Sequence, residues 1–430
     1  MTEPAGAAIG LIEHPLRAAI LAETHARPFT PLPTPARVLR FAFTVDPAAP
    51  HRDRADLAKL CAARGLTPPD GEAKHLAIEV DGAQLRWERH GEFVTYTWMF
   101  ATEAVAPFAP PAGYLQARAA ILPQPGPLLA AIDLHLLPIS VAPDGVAPFF
   151  PAGQIAASDC DDERALAASD LKPDADGFVR LLVLDRSLSP MSAGALAQRL
   201  LEVETYRCLA LLGLPEAQKL GPSLRRVEMD LPDVMRRMQA SAGVEANRGL
   251  LDSLGALSTE VEAGAAESSY RFGATRAYHE LVMLRLDSIR EKRVPHHPTL
   301  GSFLARRLDP AIRTCVTTQE RQLDLSNKLS RATQLLRTRV DIDLESQNSD
   351  LLHRMNERAK LQLRLQQTVE GLSVAAISYY IASLAHHVLE GVEKLWHWPN
   401  PTIATAALVP VILIGVAWTV RRIRHSHSDE

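Results

Sequence analysis

The stretch TIATAALVPVILIGVAWTV, Thr402 to Val420, decides the architecture of this chain. It holds no ionisable side chain over 19 residues, and at 1.5 Å per residue it reaches roughly 28 Å, close to the ~30 Å hydrocarbon thickness of a bilayer. Arg421, Arg422, Arg424 and His425 follow at once, and such cations belong on the cytoplasmic side. Pro410 inside the stretch is tolerable where a neighbouring helix satisfies the freed carbonyl. Working outward, GLSVAAISYYIASLAHHVL, Gly371 to Leu389, is a second uncharged run of 19 residues, preceded by Arg354, Arg358, Lys360 and Arg364. The linker between the two carries Glu390, Glu393 and Lys394, with Trp396 and Trp398 placed to anchor at the headgroup level. The pattern predicts two transmembrane helices, 371–389 and 402–420, in a lipid bilayer, a basic cytoplasmic tail over 421–430, and both chain ends on the cytoplasmic side. A buried helix of a soluble bundle is the competing reading of the first run.

The first run is the more polar of the two. Ser373, Ser378, Tyr379, Tyr380, Ser383 and His386 either line a hydrated path or hydrogen-bond between helices, and the sequence leaves both open. An ionisable group inside a membrane is a functional suspect by default, but His386-His387 lies close to the polar linker, where a neutral imidazole costs little. The N-terminus, MTEPAGAAIGLIEHPLR, lacks the basic start and long apolar run of a secretory signal, so insertion is expected to depend on the C-terminal hairpin.

Upstream, residues 310–370 are expected to form one long stalk helix, because Ala311 to Glu370 contains neither glycine nor proline. If continuous, that segment runs roughly 90 Å. Apolar or small residues recur at Leu329, Ala332, Leu336, Val340, Leu344, Leu351, Met355, Ala359 and Leu363, with Gln347 at the one polar step. The spacing approaches an 11-residue repeat, which predicts a straight or weakly right-handed coiled coil. A helix with one apolar stripe needs a partner, either the preceding helices or the same helix in another copy, so a homo-oligomer is expected. Residues 189–309 read as a helical region: Ser189-Pro190 looks like a cap followed by proline at the first helical position, with helices over 190–212, 215–240, 250–262 and 268–293.

Residues 1–188 read as a cytoplasmic α+β domain. Strand signals concentrate at 38–45, 75–80, 84–89, 92–100, 129–137 and 178–184, Asp81-Gly82 is a hairpin turn, and 54–64 has helical spacing ending at Gly65. The formal charge of −4 over 430 residues gives no global attraction to nucleic acid. Cys61, Cys160, Cys208 and Cys315 show no Cys-x-x-Cys spacing, so neither a zinc site nor a disulfide framework is expected.

No phosphate-binding loop, dinucleotide fingerprint or nucleophile elbow appears, and an ordinary enzyme is therefore not expected. No cofactor is assigned. His14, Glu23 and His25, with Arg27, are weak candidates for a metal or anion site, set against a purely structural network, because their spacing matches no standard ligand set. Arg89, His90 and Glu92 surround Gly91; read as alternate strand residues, His90 and Glu92 share a face and are expected to meet.

Four pieces carry a resemblance to a known family: His14-Pro15-Leu16-Arg17 with Glu23-Thr24-His25-Ala26-Arg27-Pro28-Phe29, then Trp87 to Tyr96 (WERHGEFVTY), then Leu335 to Val340 (LLRTRV), and Gln362 to Tyr380 (QLRLQQTVEGLSVAAISYY). They closely resemble the bacterial DUF3422 family of predicted membrane-anchored proteins, over about Glu13 to Arg424. The resemblance implies the bacterial inner membrane and brings no catalytic or binding residue with it. In layout the chain is also similar to the CorA family of divalent-cation channels, with a cytoplasmic α/β domain, a long stalk and two C-terminal spans. That likeness implies a ring-shaped homo-oligomer, an ion-transport or ion-sensing role and a divalent cation as partner. The Gly-Met-Asn signature of that family is missing, however: Glu390-Gly391-Val392-Glu393 stands after the first span, and Met355-Asn356 lies on the stalk. The alternative is a membrane-tethered scaffold or ligand-binding protein.

Overall fold

The computed structural model describes residues 14–17, 20–21, 29–46, 51–71, 73–101, 107–108, 123–150, 153–396 and 400–426. The chain divides into two compact units, Met1–Met235 with Ser253–Arg331, and Arg236–Asp252 with Ala332–Glu430.

The first unit is built on a nine-stranded sheet. Its strands are β1 (Ala36–Thr44), β2 (His75–Val80), β3 (Ala83–Arg89), β4 (Phe93–Ala101), β5 (Leu128–Pro138), β6 (Ala156–Cys160), β7 (Ala165–Ser169), β8 (Val179–Asp185) and β9 (Lys292–Arg293). Their order is β2-β3-β4-β1-β5-β8-β7-β6-β9, and among the described residues only β5 and β8 pair in parallel. The expected α+β character and six of the strands are present. The β2–β3 turn uses Asp81 and Gly82 at φ 51° and 78°, the left-handed pair that a tight hairpin requires. Strands β6 (AASDC) and β7 (ALAAS) escape sequence reading because alanine and serine carry little strand propensity; pairing on both sides and burial decide their conformation.

The sheet is covered on both faces. On one, Val38, Ile132, Leu134 and Leu136 share a core with Leu196, Leu200 and Leu201 of α2 (Pro190–Leu211). On the other, Leu39, Phe41, Leu85, Trp87, Tyr96 and Trp98 pack with Leu57 of α1 (Arg52–Ala63). Helix α2 begins as expected, with the Ser189 hydroxyl accepting from the Ser192 amide at 3.1 Å and Pro190 at the first position.

Three sequence expectations about helices are corrected. The segments 250–262 and 268–293 belong to one helix, α4 (Val244–Ser288), which follows α3 (Gly213–Ala240). Gly264 is a packing site rather than a break, since a Cβ there would lie 2.9 Å from Leu220 Cδ2. Helix α4 also stops at Ser288, and Lys292 and Arg293 form the edge strand β9. The stalk belongs to α5 (Leu300–Trp396), which starts ahead of Pro310. Thr299 Oγ1 caps it by accepting from Ser302 N at 3.1 Å. Leu300, Phe303, Leu304 and Leu308 are all buried, and at ~1.5–3 kcal/mol each they outweigh the ~3 kcal/mol cost of an internal proline.

In the second unit the beginning of the stalk segment is tied down. Arg339 donates to the Met238 carbonyl at 2.7 Å and the buried Asn247 donates to Asp343 at 3.1 Å. Along the anticipated stripe, Ala332, Leu336 and Val340 are buried here, and Leu329 is buried in the first unit. From 344 to 369 every residue is exposed, including Leu351, Met355, Ala359 and Leu363. The final helix is α6 (Pro401–Ser426).

Candidate functional site

A cavity of about 280 Å³ opens on the inner face of the sheet in the first unit. Strand register places its floor. Arg40 of β1 pairs with Thr97 of β4, which pairs with Arg86 of β3, and Thr95 pairs with Glu88, so these five side chains share one face. Helix α2 contributes Gln198, Arg199, Glu202 and Tyr206, and the last turn of α4 contributes Arg285.

The polar groups form a continuous chain. Arg40 donates Nε to Thr97 Oγ1 at 2.9 Å and lies 3.4 Å from Glu88. Arg86 donates to the other Glu88 oxygen at 2.6 Å and to Gln198 Oε1 at 2.9 Å. Gln198 donates to Glu202 at 2.8 Å, and Arg285 completes the chain by pairing with Glu202. Arg40 and Glu88 are 3% and 4% exposed, so this is a desolvated network. Burial alone would raise the Glu88 carboxyl, but the Arg40 and Arg86 guanidinia outweigh it and hold the group below the usual carboxylate range. Burial, reinforced by Glu202, raises the Tyr206 phenol, which therefore keeps its proton and can donate.

Aromatic rings wall one side. His90 stacks on Phe93 with centroids 4.0 Å apart, Tyr206 stands edge-on to Phe93 at 6.4 Å, and Arg199 sits over the Phe29 ring at 5.7 Å. His90 and Glu92 do not share the face of one strand. Strand β3 ends at Arg89 and β4 begins at Phe93, so the alternation of a strand does not extend through Gly91. Glu92 instead takes both arms of Arg271, and Arg89 pairs with Asp53 at 2.6 Å.

Of the residues of this cavity, sequence reading singled out His90, and Phe29, Glu88, Phe93 and Thr95 lie within the family motifs, but the arginine–carboxylate network was not anticipated. The available signal was Arg40 within the strand VLRFAFT, together with Arg86 and Glu88 alternating with Leu85 and Trp87. Alternation normally assigns the polar side to water; here α2 covers it.

The family model described as a protein of unknown function (DUF3422) matches residues 12–427. The chain belongs to the DUF3422 family. No curated protein and no solved structure matches it.

His14 is exposed, with Nδ1 accepting from Leu16 N at 3.2 Å, while Glu23, His25 and Arg27 fall outside the described residues. Among the described residues no group of three His, Cys, Asp or Glu side chains is arranged to hold a metal. In the helical hairpin, Val374, Ser378, Ala382, Ser383, Ala385 and His386 are less exposed than their neighbours, as are Thr405, Val409, Ile412 and Val416 of α6. His386 Nδ1 lies 2.9 Å from Thr405 Oγ1, which itself donates to the Pro401 carbonyl at 2.7 Å. Ser378 is 5% exposed and its hydroxyl has no hydrogen-bond partner among the described residues. Ser373 donates to the Val369 carbonyl at 2.9 Å, and Tyr379 is exposed beside Tyr380. Arg421 and Arg422 are exposed, with Arg422 over the Trp418 ring at 5.2 Å. Trp396 and Arg424 lie on helices, and Trp398 is outside the described residues.

Proposed function

We propose that this DUF3422 protein is a membrane-tethered ligand-binding protein, with the α5–α6 hairpin as anchor and the sheet-bearing unit as the binding part. The observation that carries the anchor is the exposure of an apolar surface around two consecutive helices that, among the described residues, are the two long and apolar enough to cross a membrane. Leu372, Ile403 and Ile414 are 70% or more exposed, and nothing but lipid or another protein would cover them at low cost. The flanking cations support a cytoplasmic placement of both ends in a bacterial inner membrane. The reading assigns no catalytic step to the chain.

Alkaline carbonate extraction of membranes from cells expressing the full chain tests the anchor. The protein is expected in the pellet; release into the supernatant overturns the reading. A cysteine at Asn400, reacted in intact cells with a membrane-impermeant maleimide, is expected to label from the outside.

A second reading, self-association with an ion-conducting or ion-sensing axis, is favoured by a different observation. The stalk exposes Leu351, Leu352, Met355, Leu361, Leu363 and Leu365, apolar side chains that a second copy would cover. Light scattering of the detergent-purified protein, corrected for bound detergent, separates the two: four or more copies support the axis, and a monomer or dimer leaves the hairpin as an anchor.

A further inference from the structure

We infer that the cavity bounded by Arg40, Arg199, Tyr206 and Arg285 binds a small dianion, a phosphomonoester or a dicarboxylate. This inference rests on the ligand-binding part of the preceding reading and names the chemistry of that ligand.

Charge comes first. The groups lining the cavity or bonded into it are four guanidinia, Arg40, Arg86, Arg199 and Arg285, against two carboxylates, Glu88 and Glu202. The guanidinia exceed the carboxylates by two: Arg40 and Arg86 are buried and share the one carboxylate of Glu88, which is costly unless an anion joins them, while Arg199 and Arg285 are part-exposed at the rim.

Donor geometry follows. The carboxylates already hold Arg86 and one edge each of Arg40 and Arg285. Gln198 is used on both ends of its amide. Arg199, whose contact here is the face of Phe29, and the remaining edge of Arg285 are left toward the cavity, together with the Tyr206 hydroxyl. Planar guanidinium forks of this kind suit the paired oxygens of phosphate or carboxylate.

Size sets the class. About 280 Å³ lies just below the ~300–1,000 Å³ of ordinary small-molecule sites, which favours a compact metabolite over a nucleotide. The rings of Phe29 and Phe93 offer an apolar wall to its carbon part.

The test is thermal unfolding of the detergent-purified full-length chain titrated with inorganic phosphate at pH 8 or with succinate, with glycine and chloride at matched ionic strength. A saturable rise in Tm with phosphate identifies the phosphoryl source, and one with succinate the dicarboxylate. Arg199→Gln is expected to weaken binding about tenfold or more. Tyr206→Phe removes one hydroxyl and is expected to weaken it by less, without altering the ligand-free melt; it keeps the test decisive if Arg199→Gln folds poorly. The inference is overturned if neither dianion gives a saturable shift, if glycine or chloride gives the same shift, or if both variants bind as the parent does. None of these outcomes touches the carbonate result, so loss of the ligand and loss of the anchor are told apart.

Discussion

The two units treat their side chains in opposite ways. In the sheet-bearing unit, arginines and carboxylates such as Arg37, Arg40, Glu88 and Asp133 are nearly water-free, each held by an opposite charge. In the second unit, leucines and isoleucines such as Leu351, Leu363, Leu372, Ile403 and Ile414 stand exposed. Chain composition does not explain this inversion. A charge can be buried where strands fix its partner within about 3.5 Å, whereas an apolar side chain on a single helix stays uncovered until lipid or a second protein arrives. The difference therefore separates a unit that completes its own interior from one that borrows its surroundings.

The sharpest way to break this contrast is to orphan a buried charge. Arg37 donates to both oxygens of Asp133, at 2.8 and 2.7 Å, with both side chains almost fully buried. Arg37→Met should cost about 3–5 kcal/mol, read as a lowered urea midpoint by tryptophan fluorescence. A loss below about 1 kcal/mol would show that water reaches Asp133.

Next comes a matched pair of leucines. Leu304→Ala, in the shared core, should cost about 2–5 kcal/mol. Leu352→Ala, on the exposed stalk, should change stability by no more than about 0.5 kcal/mol in a monomer. A large effect at Leu352 would mean that another copy covers the stalk.

The hairpin is probed by Ile414→Arg, which places a charge mid-span at about 2.5–3.5 kcal/mol of insertion cost. A larger carbonate-soluble fraction is expected, and an unchanged pellet would argue against a lipid-facing position.

The gentlest effect is pH-dependent. His135 is buried, accepts from Phe108 N at 3.1 Å through Nδ1, and burial followed by the Arg37 and Arg180 charges pushes it from 6.5 down to about 3. Above pH 6.5 both folded and unfolded chains hold it neutral. As pH falls from 6.5 toward 3 the unfolded chain takes up a proton that the folded chain refuses, so stability declines by at most about 1.4 kcal/mol per unit. His135→Gln should flatten the decline between pH 6.5 and 4.5. Below that range the lowered Glu88 adds a loss of its own, because its stabilising charge disappears as it protonates.

Much of the architecture was legible in local signals. The α+β class, six strands, the Ser189 cap, the Asp81-Gly82 turn and the paired apolar helices all follow from short-range propensity and periodicity, which act between near neighbours. The alanine-rich β6 and β7, the passage of α4 through Gly264 and the start of α5 ahead of Pro310 did not follow, because in each case burial against distant elements outweighed local preference. The cavity belongs with these. Arg40, Arg86, Glu88, Arg199, Glu202 and Arg285 are scattered over 246 positions, and strand register, with α2 and α4 laid across it, brings them to one face. Sequence by itself determined the α+β class, six of the strands and the two long apolar helices, since backbone sterics and side-chain period are local. Tertiary structure alone decided which charges meet, since electrostatic partnership depends on distance in space and not along the chain.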